Sequence, residues 1–126
     1  MKKIIATDKA PGAIGPYSQA VQAGPFLFCS GQIPIDPKTS QVVMSTVTEQ
    51  AKLVMENVKG LLSAAGYSLG DVVKTGIFLS DMTHFQVVNE VYASYMTQPY
   101  PARSTVAVKG LPKGVDVEIE VTAYKG

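Results

Sequence analysis

Near its C-terminus the chain runs VDVEIEVTAY, in which Val117, Ile119 and Val121 alternate with Asp116, Glu118 and Glu120. A period of two belongs to an extended strand with one buried face and one wet face. In a helix the same side chains would scatter around the axis. The pattern therefore demands a sheet, and it demands a layer to cover the aliphatic side of that sheet.

Two segments can supply the layer. Over residues 47–65, Ala51, Val54, Met55, Val58, Leu61, Leu62 and Ala65 recur on one helical stripe. Thr46 with Glu49 fits a capping box, and Gly66 stands where a helix ends on glycine. In the second, Phe85, Val88, Val91, Tyr92 and Tyr95 form the stripe, Thr83 with Gln86 offers a second capping box, and Pro99 and Pro101 prevent continuation. Strand patterns fall near residues 17–22, 26–33, 72–80, 103–108 and 116–124, with Gly24-Pro25 as a turn between the first two. The predicted order is β-β-α-β-α-β-β, an α+β plan with two helices on one face of a mixed sheet. Residues 1–126 carry no linker, repeat or low-complexity tract, and one domain is expected.

Composition narrows the function. The net charge is +1 and no basic-aromatic patch is visible, which argues against nucleic acid as a partner. One histidine (His84) and one cysteine (Cys29) argue against a zinc site and against an internal disulfide. No Gly-rich nucleotide loop and no GxSxG elbow is present. The N-terminal MKKIIATDKAPG has no apolar run of signal-peptide length and no window approaches a membrane span, so a reducing cytoplasm is the expectation. Cys29, in mid-strand, reads as a buried structural thiol, and His84 as a surface or capping residue.

The chemistry concentrates at the last two strands. If the KGLPKG loop closes them into a hairpin about Pro112 and Lys113, Arg103, Thr105 and Ala107 share a face with Glu118, Glu120 and Thr122. That patch has two readings: a cross-strand ion pair of ~0.2–1 kcal/mol, or an arginine fork that grips a carboxylate ligand beside a glutamate that handles water. Pattern leaves both open. Upstream, Tyr17 follows Gly15-Pro16 in an ordered loop, and Ser30-Gly31 reads as a tight packing point or a close ligand approach.

PARSTVAVKGLPKGVDVEIE resembles the C-terminal signature of the RidA (YjgF) family. AIGPYSQAV, FCSGQIPIDPKT and VVNEVY resemble its other motifs, in order and along essentially the whole chain. The resemblance implies a homotrimer around a central barrel, with ligand clefts between subunits. It implies hydrolysis of 2-imino acids such as 2-iminobutanoate and 2-iminopropanoate, and of their enamine tautomers, to 2-keto acids and ammonia, with no metal and no cofactor. Arg103 then matches the arginine that holds the substrate carboxylate, and Glu118 the glutamate that positions water. Tyr17, Ser30, Gly31 and Asn89 match cleft residues. Thr105 stands where many members carry cysteine, so no thiol acts there, although its backbone can still contribute. The stretch between Asn89 and Arg103 is shorter than in some members, which bears on substrate size. On this reading Glu118 works, Asp116 is solvated, and Glu120 is either an interface pair or solvated.

Two other classes share these residues. One is a regulatory protein that binds small carboxylates without turnover. The other is an endoribonuclease or translation inhibitor, a role also linked to the family, which the near-neutral charge disfavours.

Overall fold

Six strands and two helices follow one another as β1 (Lys2–Ile5), β2 (Ala20–Ala23), β3 (Phe26–Cys29), α1 (Val47–Ala64), β4 (Val72–Leu79), α2 (Phe85–Tyr95), β5 (Ala102–Ala107) and β6 (Val117–Tyr124). The computed structural model describes residues 1–126. The strands form one mixed sheet in the order β1-β2-β3-β6-β4-β5. All pairs are antiparallel except β4 with β5, which the α2 crossover joins in parallel. Both helices lie on one face of this sheet, as the α+β plan predicts. No helix is long and apolar enough to cross a membrane.

The alternation in β6 does what it requires. Val117, Ile119, Val121 and Ala123 are buried, while Glu118, Glu120, Thr122 and Tyr124 look to the other face. Against the buried side α1 lays Val54, Met55, Val58, Leu61 and Leu62, each at most 1% exposed. Each such side chain contributes ~1.5–3 kcal/mol by leaving water. The ends of α1 follow from chemistry legible in the chain. The Thr46 side chain accepts a hydrogen bond from the Glu49 N–H. At the other end Gly66 takes φ +82°, so that its N–H reaches the Ser63 carbonyl and the Tyr67 N–H reaches that of Leu62.

Four expectations need correction. A strand at Lys2–Ile5 precedes the predicted ones, pairing with β2; only Ile5 of it is buried, so it has no alternation to detect. Strand β2 begins at Ala20, leaving Tyr17 in the preceding loop, and β3 ends at Cys29, before Ser30 and Gly31. Thr83 does not cap α2. It lies in a 3-10 turn (Met82–His84) and gives its N–H to the Asp81 side chain at 2.8 Å, so the cap falls earlier.

The fourth correction matters most for function. β5 and β6 do not form a hairpin, because β4 lies between them, pairing Thr75 with Arg103 on one side and Phe78 with Glu118 on the other. The α2 crossover sets β5 parallel beside β4, and the chain then passes over to bring β6, whose aliphatic face needs the helices, into the centre of the sheet. Arg103 shares its face with Thr75 and Val121, both buried beneath the helices. Glu118 is on the opposite face. The single patch of arginine and two carboxylates is therefore absent, and so is the cross-strand ion pair; the chain's one Lys/Arg–carboxylate pair is Lys52–Glu49, and His84 Nε2 stands 3.7 Å from Asp116.

Candidate functional site

The residues singled out in the sequence gather into two groups, in separate cavities. Tyr17, Ser30, Gly31 and Glu118 line one of about 540 Å³. Asn89 and Arg103 line another of about 480 Å³. Thr105 lines neither; it sits two residues along β5 from Arg103, opposite Ile77, with its hydroxyl buried and without a hydrogen-bond partner.

The first cavity is built where β3 gives way to a loop. The Ser30 N–H donates to the Gln19 carbonyl at 2.9 Å, and the Ser30 hydroxyl donates to the Ser18 carbonyl at 2.6 Å. Gln32 then rejoins the sheet, exchanging both backbone hydrogen bonds with Ile119 at 2.8 and 3.0 Å. Between these anchors the backbone of Gly31 passes so close to Glu118 that a Cβ at this position would collide with the carboxylate and lie 2.9 Å from its Cδ. Within the protomer Gly31 is thus the tight packing point, one of its two sequence readings. Glu118 is half-buried, and desolvation, followed by the charge of Glu120, pushes its carboxyl above the usual carboxylate range. Tyr17 is 53% exposed at the rim. The loop that presents it is held by Gln19, a buried side chain that takes the Thr7 N–H at 2.8 Å and gives its amide protons to the carbonyls of Thr7, Ala10 and Pro11.

The second cavity lies between α2 and β5. The Arg103 guanidinium donates to Asn89 Oδ1 at 2.7 Å and stands 5.2 Å from the centre of the Tyr92 ring and 5.8 Å from that of Phe85. Tyr92 is itself fixed, its hydroxyl donating to Thr75 Oγ1 at 2.9 Å. Asn89, which sequence alone reads as a solvated helix residue, orients the arginine. No carboxylate of the protomer neutralises Arg103.

Asp116 is not the solvated acid expected. It accepts from Gln50 Nε2 at 2.9 Å and Ser80 Oγ at 2.8 Å, and its own N–H donates to Gln50 Oε1. It ties α1 to the start of β6 and the end of β4, with His84 Nε2 3.7 Å away. Gln50 and Asn57 were missed as structural polar residues, although both fall on the apolar stripe of α1, where a polar side chain implies a buried partner. Asn57 donates to the carbonyls of Ile33 and Ile35 and so fixes the loop that follows the first cavity. Cys29 is buried as expected, and desolvation pushes its thiol up to about 12. Glu120 is exposed on the face away from the helices.

Residues 7–125 match the family model described as Endoribonuclease L-PSP. The chain belongs to this family, the RidA/YjgF-like proteins. Among its family relatives is a RutC family protein of Pyrococcus horikoshii, 54% identical over 125 residues that make up 99% of each chain. The crystal structure of RidA from an Antarctic Psychrobacter superposes with a TM-score of 0.93 at 47% identity, covering 98% of this chain and 99% of that one. TdcF of Escherichia coli, solved with bound serine, gives the same TM-score of 0.93 at 46% identity and the same coverage. TdcF is named as a candidate reactive-intermediate deaminase. The mixed sheet with both helices on one face is thus the RidA/YjgF architecture.

Proposed function

We propose that this chain is a reactive-intermediate deaminase that hydrolyses 2-imino acids, including 2-iminobutanoate and 2-iminopropanoate, and their enamine tautomers. The observation that carries the reading is Arg103. Asn89 occupies one of its donors, two aromatic rings fix its plane, and no protein carboxylate pairs with it. An arginine prepared in this way suits bidentate capture of a ligand carboxylate. The name and the bound amino acid of TdcF support the same ligand class.

The residues 1–126 act as one RidA-like domain, and three copies close into a trimer in which each cleft joins two protomers. One contributes Arg103 and Asn89, with Thr105 beside them on β5. Its neighbour contributes Tyr17, Ser30, Gly31 and Glu118. Support comes from the sheet: Arg103 and Glu118 lie on opposite faces, so neither cavity of a lone protomer holds both groups. The face without helices also presents Phe26, Phe28 and Tyr124, with ring centres 6.1 and 5.1 Å from that of Phe26, as an apolar surface suited to burial.

The reaction needs little machinery. With the carboxylate on Arg103, water adds to the electrophilic imine carbon while Glu118 takes one of its protons. That proton passes to nitrogen to give a carbinolamine; Glu118 then takes the carbinolamine hydroxyl proton and returns it to the amino group, so that C=O forms as the C–N bond breaks and ammonia leaves behind a 2-keto acid. One water is consumed and no electrons change hands. Burial makes Glu118 a stronger base than an ordinary carboxylate, which suits the proton transfer. Orientation and charge complementarity supply the rest. The buried, protonated thiol suits a reducing cytoplasm.

The test generates 2-iminobutanoate with an amino-acid oxidase and traps surviving imine with semicarbazide. Wild type should suppress trapping and Arg103→Ala should not. Wild type that matches the blank yet binds 2-oxobutanoate would make the chain a carboxylate-binding regulator. RNA cleavage that falls steeply with salt and ignores keto acids would make it a ribonuclease.

A further inference from the structure

The cavity at Arg103 has a composition that the anchor role leaves unused. Arg103 and Asn89 supply its polar groups; the remaining walls are Tyr92, Ala93, Tyr100 and Pro101. Tyr92 spends its hydroxyl on Thr75, which leaves ring carbon for the cavity. Tyr100 is 59% exposed, a large aromatic side chain held at a rim. Its backbone precedes Pro101, which confines it to extended conformations, so presenting the ring costs little ordering entropy. Ala93, one turn along α2 from Asn89, is the small residue whose size keeps the space open.

We propose that Tyr100 determines specificity, and that the site prefers 2-imino acids with branched aliphatic or aromatic side chains over those with one or two side-chain carbons. The inference rests on the deaminase reading and on Arg103 as carboxylate anchor. A ligand held there by its carboxylate extends its side chain against Tyr100, Tyr92 and Ala93. This cavity is one half of the proposed cleft, so its apolar walls, rather than its volume, carry the preference. A second carboxylate on the ligand would find no further cation among these walls. The nearest cation lining the other cavity is Lys113.

The test is calorimetry on the intact protein with three stable product analogues: 2-oxobutanoate, 4-methyl-2-oxopentanoate and 2-oxoglutarate. Each added buried carbon is worth about fourfold in affinity, so the branched acid, with two more carbons, should bind about fifteenfold more tightly than 2-oxobutanoate. Tyr100→Ala should remove most of that preference and Tyr100→Phe should keep it, since the ring acts rather than the hydroxyl. Ala93→Leu should weaken the branched acid more than the small one. In turnover, the preference should appear in KM more than in kcat. Equal affinities, tightest binding of 2-oxoglutarate, or a preference that survives Tyr100→Ala overturns the inference while the deaminase reading stands. Failure of all three acids to bind, with wild type inert in the imine assay, overturns both.

Discussion

The two cavities differ in how their charged groups are kept. Arg103, although exposed, is oriented within the protomer: its guanidinium donates a hydrogen bond to a helix residue and is flanked by two aromatic rings. Glu118 is left poised. It is half-buried beside a like charge, with a glycine making room for its carboxylate. The difference matches the two tasks proposed for these groups. An anchor gains from rigidity, because ordering done in advance is not charged to binding. A proton acceptor gains from an environment that makes its charge uncomfortable, because that raises its basicity.

The largest effect tests whether the two groups serve one site. Arg103→Ala and Glu118→Gln should each lower imine turnover by ~10²-fold or more. Refolding equal amounts of the two variants together should restore about one quarter of wild-type activity, since that share of clefts in random trimers pairs an intact arginine with an intact glutamate. No recovery from correctly assembled mixtures would mean that the groups do not meet across subunits. Next, Gly31→Ala should cost ~1–3 kcal/mol of stability and most of the activity, since its methyl group enters the space of the Glu118 carboxylate. Denaturant unfolding of Gly31→Ala beside the double variant Gly31→Ala/Glu118→Ala checks this; the collision account fails if removing the carboxylate restores no stability.

A third, smaller effect concerns pH. The Glu118 carboxyl is raised in the folded chain, so its contribution to stability is full below the unfolded carboxylate pKa and is lost as pH rises through the folded value. Glu118→Gln should therefore melt higher than wild type near neutrality, with the gap closing on acidification. Thermal unfolding from about pH 4 to about pH 8 reads this directly. A gap that widens toward acid would reverse the sign and deny the poised state. The smallest effect is at Thr105. Its buried hydroxyl has no partner, so Thr105→Val should be neutral or stabilising by up to ~1 kcal/mol. A clear loss of stability would show that the hydroxyl has a partner in the assembled protein.

Periodicity was a good guide to faces and a poor guide to neighbours. The stripe of α1, its threonine cap and Gly66 were legible because each depends on residues a few positions apart. So was the two-faced character of β6. What alternation does not encode is which strand lies alongside. The KGLPKG loop after β5 invited a hairpin, whereas β4, with two open edges and a helix crossover to satisfy, came between the strands. For the candidate site, pattern picked out Arg103 and the β6 carboxylates and left their role open, and the resemblance supplied one; their placement on opposite faces depends on strand order. Asp116 was misread because its partners, Gln50 and Ser80, are distant in sequence.

Cys29 has a consequence for durability. 2-Imino acids are electrophilic at the imine carbon, and the thiolate is the form of cysteine that would add there. With its thiol pushed up to about 12 and its side chain buried in the sheet, Cys29 offers them almost nothing to attack. A protein proposed to clear reactive imines thus has its one susceptible nucleophile silenced by burial, and it should outlast many turnovers without modifying itself.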